Sequence, residues 1–497
     1  MMKFIHKYWH WLAVFLAPLI MFYPSLSGFF TNDDFFFLKL ARASSLMDFL
    51  NFFNPLKDLG AVGVYRPIPQ RFIYFLDVGF FHQNPLFLHI VSFVTLFAII
   101  ILVSVLVRLL TKDNKIAMIS AFLYAVSATH FGKLYYINQY QEFCMTLFFL
   151  ASTIFFVKYE LETKAIRPFR NLILSLLLFI LCLMSKETAV TLPFILVLTH
   201  FYLTFNNRIK VPIKTLMLSL APFFLILAAY LSLHFFSFGL VSGDSYIWNF
   251  SPFKAINTLS WYGLWSLNIP EMLVDFIGSG LHVNPDLFKY WSKDIIQILI
   301  FFSLQILVIF GTLIKLFKAD RKNLNKDLIT LVFSCLWFIV TLIPVLFLPV
   351  HKFTLYLTLP LAGTVFALSY LLIESKISKV WIGLFLAVWT ITSILSLRLT
   401  VQTNWITRSQ IESYKVYQYF KENGVSLSEK NVYFIDTKND SNLPWSPTQV
   451  LKVVLGDKNF FDVFYPALAA KVNYVGLEKA PKGSSIKIIE SRQFLGY

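Results

Sequence analysis

Two adjacent carboxylates, Asp33 and Asp34, stand in the run Thr31-Asn32-Asp33-Asp34-Phe35-Phe36-Phe37-Leu38-Lys39-Leu40-Ala41-Arg42, directly after an apolar stretch from Trp9 to Phe30. A stretch of that length crosses a bilayer, so the acids emerge where the chain leaves the hydrocarbon. Ionisable side chains at that depth are expensive and mark candidate functional positions. A plainer reading is that Asn32 or Asp33 N-caps an interfacial helix beginning near Phe35, but a cap needs one short polar residue and three stand here in a row.

Further polar groups close other apolar runs: Arg66, His130 with Lys133, Gln141 with Glu142, Lys186 with Glu187, and His351 with Lys352. Two acids and several bases at one membrane level suit a reaction with a general base and an anionic leaving group. Each residue also has a plainer role. Lys133 and Lys352 could snorkel to headgroups, and His130 at the end of an apolar run reads as a satisfied structural histidine. Arg66 precedes Pro67, a placement that suits a phosphate contact better than a helix-dipole partner. His82 and His89, seven apart on one expected helix face, have no third ligand in register for a metal. Lys186-Glu187 sits in a very short break between two apolar spans, so both charges need partners inside the protein.

The rest of the chain must place these groups, and its composition says how. Of 497 residues, 57% are hydrophobic, 18% aromatic and 14% charged, with a mean hydropathy of +0.66. That balance belongs to an all-α polytopic membrane protein. The net charge of +16 comes mainly from short basic clusters between apolar runs, the pattern of topology signals and not of a nucleic-acid footprint. Cys144, Cys182 and Cys335 lie in apolar segments without C-x-x-C spacing, so neither a disulfide framework nor a zinc site is expected. The first apolar run is long and poor in cleavage-site residues, which favours a retained helix over a signal peptide.

Eleven spans are expected, at about 9–30, 86–110, 116–130, 142–158, 171–184, 188–205, 215–236, 293–317, 328–349, 354–374 and 379–400. Lys and Arg concentrate in the N-terminus and in the connections near 108–115, 158–170, 208–214, 315–326 and 376–379, which places the N-terminus in the cytoplasm and the carboxylates outside. The composition, rich in Phe, Ile, Lys and Asn, suits a bacterial inner membrane. The outer connections 31–85 and 237–292 read as aromatic amphipathic helices at the interface. With an odd number of spans, 401–497 falls outside as a small extracytoplasmic α/β appendage, with a helix at 412–420 and strands at 431–436, 450–455 and 485–489. The division expected is thus 1–400, a transmembrane module, and 401–497.

In this order, Asp33-Asp34, Tyr65-Arg66-Pro67-Ile68, His82-Gln83-Asn84-Pro85-Leu86-Phe87-Leu88-His89, Ala128-Thr129-His130 through Gln141-Glu142, Ser185-Lys186-Glu187-Thr188 and His351-Lys352-Phe353-Thr354-Leu355-Tyr356-Leu357-Thr358-Leu359-Pro360 resemble the GT-C superfamily of polyprenyl-phosphate-sugar-dependent glycosyltransferases. The likeness is greatest to the protein O-mannosyltransferase branch, in a bacterial form without tetratricopeptide repeats. It covers residues 1 to about 400. Relatives often carry Arg before the Tyr-Leu-x-x-Pro run where His351-Lys352 stands here, and the tail lacks the tetratricopeptide repeats and the trefoil domain found in that branch.

The resemblance implies transfer of a sugar from a polyprenyl-phosphate donor to a hydroxyl acceptor at the extracytoplasmic face, with inversion. Asp33 or Asp34 would be the base, and Arg66, His130, Lys186, Glu187 and Lys352 would bind the donor phosphate or sugar. No cofactor is required, although a divalent metal between the acids is possible in such a site. The expected partners are the lipid-linked donor, membrane lipid and the acceptor, with no nucleic acid. The competing classes are a lipid-linked-sugar transporter or flippase, which would show repeated halves that this chain lacks, and an O-antigen polymerase or ligase, which would depend on basic residues in a large late loop.

Overall fold

The computed structural model describes residues 2–496 except 58–62, 163–166, 238, 240–242, 244, 279, 281, 319–323, 428, 476–482 and 484. Parts of two basic connections, 163–166 and 319–323, therefore lie outside the described residues. Among those described, eight helices are long and apolar enough to cross a membrane: His10–Ser27, Pro85–Thr111, Ile137–Leu161, Glu187–Phe205, Ile213–Ser237, Asp286–Lys318, Leu324–Leu346 and Lys379–Thr403. Phe169–Leu183 and Pro360–Glu374 are shorter apolar helices, and Asn114–Ala125 is a 12-residue helix. Each expected apolar run thus coincides with a helix, though three are too short to span alone.

Local chemistry sets the ends. Asn84 caps Pro85–Thr111 by accepting from the Leu86 N–H at 3.1 Å, with Pro85 in the first turn where its missing N–H is not needed. Asp113 caps Asn114–Ala125 through the N–H groups of Lys115 and Ile116. That short helix packs against Pro85–Thr111 and Pro360–Glu374, and Ser120 meets Ser369 at 2.5 Å, so its polar groups are satisfied by protein. His82 differs from expectation. It adopts φ +57° ahead of the Asn84 cap, so it shares no helix face with His89, whose ring nitrogens contact the carbonyls of Leu134 and Gly28.

Beyond the bundle a second apolar core forms. Phe30, Phe35, Phe37 and Leu38 pack with Val416, Phe420, Val432, Phe434, Phe460 and Phe461. Phe35 and Phe37 of helix Asp33–Leu40 are thus buried against the tail, which supplies the apolar partners they require. The Asn32 N–H donates to the Val454 carbonyl at 2.8 Å, Thr31 Oγ1 donates to the same oxygen at 3.2 Å, and Lys39 pairs with Asp462 at 2.6 Å. The tail and the early carboxylates consequently occupy one side of the bundle.

The tail opens with helix Trp405–Leu427 and builds a parallel three-stranded sheet ordered Val472–Tyr474, Asn431–Ile435, Ile486–Glu490. The segment 450–455, expected as a strand, instead lies mostly in helix Pro447–Val454. Its β-branched valines resemble a strand locally, but Ser446 caps the Gln449 N–H, Pro447 opens the first turn, and Leu451 and Val454 share the buried face, all signals of an amphipathic helix. The remaining strand is the short Val472–Tyr474.

Candidate functional site

A cavity of about 220 Å³ opens on the side of the bundle that carries the tail, and Asp33, Arg66 and Lys186 all line it. Tyr136, Tyr246, Phe353, Tyr356 and Trp405 make much of its wall aromatic, and Asn138, Gln141, Glu271 and His351 complete its polar part. Segments from the start, middle and end of the chain thus meet in one hollow.

Asp33 opens helix Asp33–Leu40 and faces the cavity. Its Oδ2 accepts from Asn138 Nδ2 at 3.2 Å, and its backbone N–H donates to the Tyr136 hydroxyl at 3.3 Å. Desolvation at the wall lifts the carboxyl above the ordinary aspartate range, against the pull of Tyr136, Asn138 and the Arg66 charge. Asp34, one residue on, points elsewhere because successive helical side chains diverge by about 100°. It is fully buried, with Oδ2 accepting from the Thr31 N–H at 3.0 Å and Oδ1 from the Tyr74 hydroxyl at 2.8 Å. Burial pushes its carboxyl up to about 7, opposed by those two hydrogen bonds. The acids therefore divide into one that lines the cavity and one that holds the helix start in place.

Opposite the acid stand two cations in different settings. Arg66 forms a fork on Glu187, with Nε donating to Oε2 at 2.8 Å and Nη2 to Oε1, while Nη1 reaches Gln141 Oε1. Gln70 Nε2 supports Gln141 from behind at 3.2 Å. Lys186 pairs with Glu142, both almost wholly buried, and its ammonium lies 4.6 Å from the Tyr356 ring centre. The Ser185–Lys186 break makes this possible: Lys186 is extended (φ −165°, ψ 145°) between helix Arg167–Leu183 and the short helix Glu187–Thr191. Arg66 has unspent N–H groups and Lys186 has unspent ammonium protons, since a guanidinium carries five donors and an ammonium three.

The other expected residues scatter. Glu187 grips Arg66 without lining the hollow. His130 is buried, with Nε2 on the Tyr124 carbonyl at 2.7 Å and its ring among Phe22, Tyr124 and Phe143. Lys352 lies beside the cavity and contacts Asn257 Oδ1 at 3.4 Å, whereas its neighbour His351 lines the wall, stacked on Tyr246 with ring centres 3.9 Å apart and Nδ1 at 2.6 Å from Ser245 Oγ. Burial, then the charges of Lys186 and Arg66, lower the His351 imidazole to about 4. Lys133, beneath the cavity-lining Gly132, is fully buried and donates to the Thr129 carbonyl; burial lowers its ammonium to about 7, against the attraction of Glu142 and Glu271.

Sequence reasoning did not single out Tyr136, Asn138 or Trp405. The run Tyr135-Tyr136-Ile137-Asn138-Gln139-Tyr140-Gln141-Glu142 is unusually rich in polar and aromatic residues for a segment entering a span, and that was the available signal. Trp405 offered none. A divalent ion bridging the two aspartates does not fit this arrangement, because both Asp34 oxygens are occupied and turned from the cavity. Among the described residues no group of three or more His, Cys, Asp or Glu is placed to hold a metal.

No family model matches the chain, and no curated protein matches it. Two solved structures are similar to it. One is the archaeal oligosaccharyltransferase AglB from Archaeoglobus fulgidus in complex with an inhibitory peptide and a dolichol-phosphate, at 14% identity and a TM-score of 0.45, covering 91% of this chain and 64% of that one. The other is the Archaeoglobus fulgidus oligosaccharyltransferase tethered by a disulfide to an acceptor peptide containing the NVT sequon, at 13% identity and a TM-score of 0.47, covering 96% of this chain and 65% of that one. The match therefore spans less than two thirds of the length of either.

Proposed function

We propose that the chain is a GT-C-like membrane glycosyltransferase that moves a sugar from a polyprenyl-phosphate donor to a hydroxyl acceptor, with Asp33 as the general base. The observation that carries this reading is the cavity itself, where a carboxylate in no ion pair among the described residues lines the same aromatic hollow as Arg66 and Lys186. Aromatic faces suit the apolar side of a sugar ring. A carboxylate whose proton affinity is raised suits base catalysis near neutral pH.

In the step proposed, Asp33 takes the proton of the acceptor hydroxyl as its oxygen attacks the anomeric carbon. The bond from that carbon to the phosphate oxygen breaks through an oxocarbenium-like transition state, and its electron pair leaves on the phosphate. The unspent N–H groups of Arg66 and Lys186 would receive the growing charge, while Glu187 and Glu142 hold the two cations in place. Asp34 and Tyr74 act on the step only by fixing the first turn on which Asp33 stands. A single displacement inverts the anomeric centre.

The test is release of free polyprenyl phosphate from a panel of radiolabelled polyprenyl-phosphate sugars by purified protein in lipid. Release by the wild type that is lost in Asp33→Asn supports the reading. Tight donor binding without release, with cell extract present as acceptor source, would replace it with a transporter.

A further inference from the structure

At the opposite end of the bundle lies a larger hollow of about 770 Å³, between the first helix, the end of Pro85–Thr111, the start of Asn114–Ala125, the end of Pro360–Glu374 and the start of Lys379–Thr403. Its mouth carries Arg108, Asn114 and Lys115, and its walls include Trp11, Val105 and Ile382. Neither Arg108 nor Lys115 has an ion-pair or side-chain hydrogen-bond partner among the described residues, in contrast to every cation around the outer cavity. The nearest acid along the chain, Asp113, spends Oδ1 on the backbone N–H groups of Lys115 and Ile116 as a helix cap.

We propose that this hollow binds one anionic diacyl phospholipid, with the headgroup phosphate on Arg108 and Lys115 and an acyl chain along Val105 and Ile382. Charge complementarity selects the occupant. Two unpartnered cations at the mouth of an apolar trough, at the level where a span ends, match a phosphate joined to hydrocarbon. A free phosphate would leave the apolar walls uncovered, and a neutral lipid would leave the cations without a counter-charge. Trp11, partly buried at the same level, is the amphipathic ring that favours this depth. Such a lipid would tie the first helix, and through it the segment leading to Asp33, to the rest of the bundle.

Native mass spectrometry of the full-length protein in detergent tests this, with added phosphatidylglycerol or phosphatidylcholine of the same acyl chains. The wild type should retain phosphatidylglycerol in preference to phosphatidylcholine. Arg108→Gln and Lys115→Gln should each weaken retention about fivefold and the double variant about thirtyfold. Lys210→Gln/Lys214→Gln, which removes the same charge from exposed positions elsewhere, should retain the lipid as the wild type does. Equal retention by the double variant and this control, or equal retention of both lipids by the wild type, would overturn the proposal. Full competition by soluble glycerol 3-phosphate would overturn it too, because the headgroup alone would then suffice. The single variants preserve the test should the double variant not fold, and none of these readings depends on the transfer reaction.

Discussion

The two ends of the bundle hold their lysines and arginines differently. Around the cavity at Asp33, Lys186 and Lys133 are essentially buried, Lys186 pairs with Glu142 and Arg66 forks onto Glu187. At the other end Arg108, Lys115, Lys210 and Lys214 are exposed and none is in an ion pair among the described residues, and the buried contact there joins His200 to Glu160 without a lysine or arginine. Topology requires only that basic residues stay on one side, and solvated lysines accomplish that at little cost. Burying an ion pair is expensive and adds little to stability over an apolar pair, so the buried Lys186–Glu142 pair beside the cavity calls for an explanation other than folding. Under the proposed function, that explanation is a set of cations held fixed before the leaving phosphate arrives.

The sharpest way to break this contrast is at Asp33. Asp33→Asn keeps the size and the contact with Asn138, so the melting transition should stay near that of the wild type while transfer falls by about 10²–10⁴-fold. Asp34→Asn, measured in the same release assay, should lose much less. Equal losses would mean that both acids share the chemistry, against their separation into cavity and core.

Second in size is the Lys186–Glu142 pair. Glu142→Ala leaves a buried ammonium without its carboxylate and should destabilise the protein by about 3–5 kcal/mol in denaturant titrations. The double variant Glu142→Leu/Lys186→Met should recover most of that stability and yet remain unable to transfer. Recovery of activity along with stability would show that the pair serves folding alone.

How far these features were legible beforehand differs by kind. The spans were legible because hydropathy is a local property of the chain, and even the short helix Asn114–Ala125 was visible as an apolar run. The convergence of Asp33, Arg66 and Lys186 was legible only as a shared membrane level. What remained hidden depends on chain segments far apart in sequence. Trp405 enters the cavity through the direction of a tail helix, Asp34 is withdrawn from it by Tyr74, and Phe35 finds Phe460 across the second core. The helix at Pro447–Val454 is concealed differently, by valines whose strand preference masks a cap and a proline.

A pH titration separates the second apolar core from the rest. Burial pushes the Asp34 carboxyl up to about 7 in the folded protein against an ordinary value of 3.8, so between those values the folded state binds more protons than the unfolded one. Stability contributed there is full below the unfolded value of 3.8 and declines as pH rises towards 7. Thermal unfolding followed across that window should show the decline in the wild type and a flatter profile in Asp34→Asn. An unchanged slope would assign the pH dependence to other groups.

Gly456 offers a smaller perturbation at the same junction. It holds φ +56°, and a Cβ there would come 2.7 Å from the Asn32 carbonyl oxygen, one residue before Asp33. Gly456→Ala should lose about 1–2 kcal/mol from the left-handed conformation, with a further loss from the close approach. Because that contact fixes the backbone entering the first turn, kcat should fall while donor KM changes little. A loss of stability with kcat intact would show that the tail supports the loop without positioning its carboxylate.

The smallest effect belongs at the other end. Lys210 and Lys214 are exposed on the connection before helix Ile213–Ser237 and in its first turn, where water already solvates their ammonium groups. Lys210→Gln and Lys214→Gln should each change stability by no more than about 0.5 kcal/mol and leave transfer unaltered. They measure what a basic residue contributes when it marks only the side of the membrane. If either matched the loss seen in Glu142→Ala, the difference between the two ends would lie in total charge and not in the buried pairing around the cavity.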